Sequence, residues 1–192
     1  CTLPAEPEPM KTFYLAVMLS LPTLSFADGD AWHAWREGKA LLIMRHALAP
    51  GTGDPTGFVL DNCSTQRNLN DEGRQQAKRW GELLRQQHDG EIALYSSQWC
   101  RCLDTARLMD LTTPTPLPVL NSFFTGRGDG DKQTQALVQQ FATAQTAQPT
   151  VLVTHQVNFT ALTGIFPRSG EAAILALPLT QPATVLARVA AP

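Results

Sequence analysis

The chain has 192 residues, enough for one domain with a proper core but not clearly for two. Its composition is that of an ordinary globular protein, 43% hydrophobic and 17% charged. Fifteen basic against 17 acidic side chains give a formal net charge of −2. There is no basic run and no acidic tail, so nothing points to nucleic acid as a partner.

Met10-Lys11 opens an apolar run over residues 12–21, followed by Pro22 and by Ser25-Phe26-Ala27, which puts small residues where a signal peptidase reads. A positive start, a short apolar region and such a site together form a secretory signal peptide, and the run is too short to span a bilayer comfortably. The expectation is a signal beginning at Met10 and cleaved after Ala27, with residues 1–9 upstream of the initiator. A lipidated Cys1 would be the rival reading, but it leaves the apolar run without a purpose. Residues 28–192 then form a single exported domain, expected in the periplasm, with no membrane span in the mature chain.

The mature chain holds Cys63, Cys100 and Cys102. An odd number in an oxidising compartment permits one disulfide. Cys100-Arg101-Cys102 lacks the spacing of a redox Cys-x-x-Cys pair. No histidine stands near these cysteines in sequence, so no metal site is expected.

Residues 28–39 read as a lead-in with a helical turn carrying Trp32 and Trp35, and His33 reads as a surface residue. Ala40-Leu41-Leu42-Ile43-Met44 is a five-residue apolar run, the signature of a strand buried on both faces. Arg45-His46 stands at its end, where parallel α/β sheets carry their ligands. Residues 48–67 form a loop rich in Gly, Pro, Asn, Asp and Thr, long enough to be functional.

Asn70 caps a predicted helix with Asp71 and Glu72 in its first turn and Ala77, Trp80 and Leu84 on its core face; Asp89-Gly90 stop it. A second buried strand, 92–95, ends in Ser96-Ser97. The helix that begins near Trp99 puts Arg101 and Thr105 on one face. Residues 117–120 read as a further strand, and 121–131 as a glycine-rich loop. Asp131 is expected to cap a helix with Leu137 and Phe141 on its core side. Val151-Leu152-Val153 is a strand ending at Thr154-His155, a short helix spans 158–163, and strands at 173–177 and 185–189 close the chain. Strands alternating with helices predict a three-layer α/β/α sandwich with a mainly parallel central sheet.

Two buried strands thus end in histidine, His46 and His155, with Arg45 beside the first and Arg101 just past the second strand. Two imidazoles and two guanidiniums around one point suit a dianion: arginine matches phosphate oxygens bidentately, and a neutral imidazole can attack phosphorus.

At these residues the chain resembles a known family. Met44-Arg45-His46-Ala47 resembles the Arg-His-Gly signature of the histidine phosphatase superfamily, whose fold is phosphoglycerate-mutase-like. The stretch from Leu69 through Gly73 to Gln76-Ala77 resembles its Leu-Thr-x-x-Gly-x-x-Gln-Ala helix start. The stretch from Ser96 through Arg101 to Thr105-Ala106 resembles its Ser-x-x-x-x-Arg-x-x-x-Thr-Ala segment, and Val153-Thr154-His155 resembles its Ser-His-Gly ending. The resemblance extends loosely to exported phosphatases of lipopolysaccharide core heptose phosphate.

It implies that His46 becomes phosphorylated and that Arg45, Arg101 and His155 hold the phosphoryl group, with no metal and no other cofactor. The substrate would be a small-molecule or glycan phosphomonoester. A phosphate- or phosphosugar-binding module without turnover is the alternative.

The departures are specific. Ala47 and Gln156 replace glycines. Thr52 stands about where many members carry a phosphate-binding asparagine. Ser122 follows Leu120-Asn121 where many members carry a glutamate acid. Asp54, Asp129 and Asp131 are the candidates to replace that acid, and Arg67 is a candidate substrate contact. Cys63 is expected to bridge to Cys100 or Cys102. The family pattern places a small packed residue after the arginine, which suits Cys102 as a free thiol and favours Cys100, with Cys102 left open.

Overall fold

Strand β1 (Ala40–Arg45) runs through the interior of a six-stranded sheet, its first five side chains buried. In this computed structural model, residues 26–192 are described; residues 1–25 of the expected upstream and signal segment lie outside them. The other strands are β2 (Ala93–Ser96), β3 (Thr115–Pro116), β4 (Thr150–Thr154), β5 (Ala172–Ala176) and β6 (Val185–Val189), and the sheet order is β3-β2-β4-β1-β5-β6. The pairings β3/β2, β2/β4 and β4/β1 are parallel. β1/β5 and β5/β6 are antiparallel, so the sheet is mixed, with a parallel majority.

Alternation along β1 sends its side chains into two cores. Leu42 and Met44 pack with Trp35 of α1 (Phe26–Arg36), Trp80 and Leu84 of α2 (Asp71–Gln87), and Ala106 of α3 (Cys100–Leu108). Leu41 and Ile43 pack on the opposite side with Leu137 of α4 (Gly130–Gln140) and with Phe159 and Leu162 of α5 (Gln156–Thr163). The three-layer sandwich follows from those two apolar stripes. Among the described residues no helix is long and apolar enough to cross a membrane.

Several local readings differ from the structure. Residues 118–120 form a 3₁₀ turn, Pro118–Leu120, preceded by the two-residue β3. Pro116 and Pro118 each lack the N–H a ladder requires, which confines pairing there to a short edge. The cap of α4 is Asp129, whose side chain accepts from Lys132 N; Asp131 lies in the first turn. Helix α5 starts at Gln156, two residues earlier than expected, directly after β4.

Helix α2 fixes the loop that follows β1. Asn70 caps it by accepting from Gly73 N at 2.8 Å. Gly73 then lets the helix touch that loop, because a Cβ there would stand 2.1 Å from the carbonyl oxygen of Leu48. One turn on, Gln76 accepts from Leu48 N (3.0 Å) and donates to Ser169 O (3.2 Å). Gly73→Ala is therefore expected to destabilise by about 1–3 kcal/mol through overpacking. The neighbouring exposed Glu72→Ala should stay within about 0.5 kcal/mol of the parent in urea unfolding.

Candidate active site

Parallel register places the two histidines. Arg45 pairs with Thr154 across β1 and β4, and His46 N donates to Thr154 O at 2.9 Å, so His46 and His155 leave adjacent strand ends together. Their ring centroids lie 5.6 Å apart and both side chains are buried. Ser97, at the end of β2, reaches His155 from the next strand over.

The hydrogen bonds fix both tautomers. His46 Nδ1 is 2.8 Å from Ala47 O, a carbonyl that can only accept, so Nδ1 carries the proton and Nε2 keeps its lone pair. His155 Nδ1 lies 3.3 Å from Arg101 Nη2, which can only donate, so this proton sits on Nε2, 2.8 Å from Ser97 Oγ. Burial, then the Arg101 charge, holds both imidazoles well below their ordinary pKa. His46 is thus a neutral base with a free Nε2.

Thr105 supports the chain just past His46 from α3, accepting from Ala47 N (3.1 Å) and donating to Arg101 O (2.7 Å). Cys102, buried one residue past Arg101, places its Sγ 3.5 Å from His155 Nε2, and burial pushes its thiol pKa up to about 12.

His46, His155 and Arg101 line a cavity of about 440 Å³. Arg45, His46, Arg67, Arg101 and His155 are in its wall, with Asp54, Thr52 and Ser122; Phe124, Arg127 and Phe166 also line it. Arg45 donates Nη1 to Pro167 O (3.0 Å), and the Nε atoms of both Arg45 and Arg101 are buried without a partner. Orphaned guanidinium donors at a cavity wall mark an anion position. The first turn of α5 has no side-chain cap, and its Gln156 and Val157 line the same cavity, adding the positive end of a helix.

The pattern of the histidine phosphatase superfamily (branch 1) matches residues 41–123, the stretch that carries Arg45, His46, Arg67 and Arg101. Over that stretch the chain resembles the histidine phosphatase superfamily. No curated protein sequence matches. Among solved structures, this chain is similar to the protein histidine phosphatase SixA complexed with tungstate: 18% identity, 79% of this chain and 96% of that one covered, TM-score 0.54. It is also similar to Rv3214 from Mycobacterium tuberculosis, with 18% identity, 76% and 94% covered, and TM-score 0.56. A third likeness is to phosphoserine phosphatase from Entamoeba histolytica in complex with 3-phosphoglyceric acid, with 14% identity, 79% and 96% covered, and TM-score 0.54. At these identities the likeness is one of fold.

The remaining expected site residues separate into two groups. Arg67 is in the cavity wall and ties the first loop together, donating Nε to Gly53 O at 2.7 Å and Nη1 to Ala49 O. Burial lowers its pKa to about 10. Thr52 is exposed at the cavity wall.

Asp129 and Asp131 lie outside the cavity lining. Both are exposed, and Asp129 is committed to capping α4 and to Lys132 Nζ at 3.2 Å, which corrects the expectation that they serve as acids. Asp54 is in the cavity, but its carboxylate is bound by Arg101 at 2.7 and 3.3 Å. Burial raises its pKa, but Arg101 and the other donors outweigh that, so it is held below the ordinary carboxylate value. It is a carboxylate here, unlike the proton donor expected of it. Ser122 also lines the cavity.

Cys63 and Cys100 form a disulfide with Cα atoms 5.6 Å apart, and Cys102 is free. Arg127 was missed by sequence reasoning. It lies over the Phe58 ring at 4.1 Å and 3.7 Å from Asp54 Oδ2; on a glycine-rich loop it has no periodicity to announce it. Among the described residues no group of three or more His, Cys, Asp or Glu side chains could hold a metal ion.

The depressed histidine pKa values have a stability consequence with a definite sign. Both imidazoles titrate lower in the folded protein than in the unfolded chain, so the unfolded chain binds more protons below pH 6.5. Stability is fully present above about pH 6.5. It is expected to fall as pH drops from there, at up to about 1.4 kcal/mol per pH unit for each histidine. Urea unfolding at pH 7.5, 6.0 and 5.0 measures this; a His155→Gln variant should show a shallower slope.

Proposed function

We propose that this chain is an exported phosphomonoesterase acting through a phosphohistidine on His46. The observation that carries the reading is the neutral His46 imidazole, its Nδ1–H held by Ala47 O and its Nε2 free, in a cavity walled by Arg45, Arg67 and Arg101. Nε2 donates its lone pair to phosphorus while the ester P–O bond breaks, and the leaving oxygen departs with that bond's electrons. Water then attacks the phosphorus of the phosphohistidine, the P–N bond breaks, and inorganic phosphate and neutral His46 are released as the water's protons pass to phosphate and solvent. The guanidiniums stabilise the charge on the transferring group.

Asp54 is occupied and Ser122 cannot protonate an alkoxide, so turnover favours substrates whose leaving group departs without a proton. Phosphorylated small molecules and glycans, heptose phosphates included, are the substrate classes proposed. Proteins phosphorylated on histidine join them through the name of the SixA relative. Export and a periplasmic location are supported by the signal-like segment and by a Cys63–Cys100 bridge that an oxidising compartment sustains. The same missing acid favours the second reading, a phosphate-binding module without turnover.

Hydrolysis of p-nitrophenyl phosphate, whose leaving group needs no acid, separates the two readings. The expected result is turnover that survives chelators, with an acid-labile phosphate trapped on the wild type. His46→Ala should lose both, by at least about 10³-fold in rate. A His46→Ala variant that keeps its turnover would end the mechanism.

A further inference from the structure

Asp54 is more completely engaged than any role so far given to it requires. Its side chain and that of Arg101 are each only 3% exposed. A carboxylate offers about four lone-pair sites, and four donors fill them. Oδ1 accepts from Arg101 Nη1 at 2.7 Å and from the backbone N of Arg67 at 3.2 Å. Oδ2 accepts from Arg101 Nη2 at 3.3 Å and from Trp99 Nε1 at 3.1 Å, with Arg127 Nη1 at 3.7 Å beyond them.

The four donors come to the Asp54 loop from two segments, the turn before α2 with Arg67 and the start of α3 with Trp99 and Arg101. The loop is itself secured to α3 by the Cys63–Cys100 disulfide and by Gln66 Oε1, which accepts from Cys100 N at 3.0 Å.

The pairing divides the guanidinium of Arg101. Asp54 takes the edge formed by Nη1 and Nη2. The adjoining edge, Nε with Nη2, carries only the 3.3 Å contact of Nη2 to His155 Nδ1, and its Nε is buried without a partner. An incoming phosphoryl group finds the unpaired Nε–H of that second edge without displacing the first.

We propose that Asp54 is a positioning residue. It grips one edge of Arg101 so that the other edge faces the phosphoryl group, and it stays in place through turnover instead of yielding to phosphate or supplying a proton. This rests on the phosphoryl-transfer reading above and deepens it. Asp54 also offsets one of the four positive charges in the cavity wall, which keeps the empty site from repelling its own arginines.

The test uses Asp54→Asn in the otherwise complete protein, with a series of aryl phosphates of graded leaving-group pKa and with inorganic phosphate as competitive inhibitor. The amide keeps the shape but turns an NH₂ towards the guanidinium. The expected result is a loss of kcat/KM on the order of 10²-fold, equal across the series, with weaker inhibition by phosphate. Trp99→Phe removes one of the four donors and keeps the packing. It should shift both readouts in the same direction by less, and it decides the matter if the asparagine variant does not fold.

A loss that steepens with leaving-group pKa would make Asp54 the proton donor and overturn the proposal. Tighter inhibition by phosphate in Asp54→Asn would make the carboxylate a competitor and overturn it equally. If the wild type binds phosphate but hydrolyses none of the series, it is the hydrolase reading that fails, and the change in phosphate affinity alone still decides the role of Asp54.

Discussion

The parallel pairing of β1 with β4 is the constraint on which the site depends. It brings Arg45 opposite Thr154 and so sets His46 beside His155 at one end of the sheet. A one-residue slip would turn every side chain of β1 to the other face and carry His46 away from the cavity. The register is held by the two apolar stripes of β1, which fill cores on opposite sides and admit no shift. Side-chain chemistry at the strand ends is thus specified by the burial of Leu41, Leu42, Ile43 and Met44 several ångströms below.

Given that placement, electrostatics sets the protonation states. Among the described residues the cavity wall collects Arg45, Arg67, Arg101 and Arg127 against a single carboxylate, Asp54. Burying two imidazoles among such charges leaves them neutral, and the neutral form is the one with a lone pair to give. The backbone then selects which nitrogen: Ala47 O holds Nδ1–H of His46, and Arg101 takes Nδ1 of His155 as acceptor. The same ring, in two positions, is presented in opposite tautomers.

Much of this was legible in the sequence because it is local. The apolar run of β1, the Asn70 cap, the Ala77, Trp80 and Leu84 face of α2 and the positions of the two strand-end histidines all follow from short-range pattern. What escaped was set by distance or by backbone chemistry. Asp54 and Arg101 are 47 positions apart, and nothing near either residue says that they pair. Arg127 comes from a loop with no period. The strand expected at 117–120 does not form because Pro116 and Pro118 lack the donors a ladder needs. The buried apolar run of β5 does not by itself tell an antiparallel strand from a parallel one.

The sheet order carries a consequence for how the molecule assembles. β1 comes near the start of the described chain, yet its two neighbours, β4 and β5, begin at residues 150 and 172. Until β4 is made, the run from Ala40 to Met44 has neither of its hydrogen-bonding partners and presents two open edges, and one edge stays open until β5 follows. Contacts so distant in sequence close late and make folding slow. His46 is written early, but the cavity that gives it meaning is among the last parts of the molecule to form. A chain cut short before β5 holds every residue matched by the superfamily pattern and still lacks the strand that completes their frame.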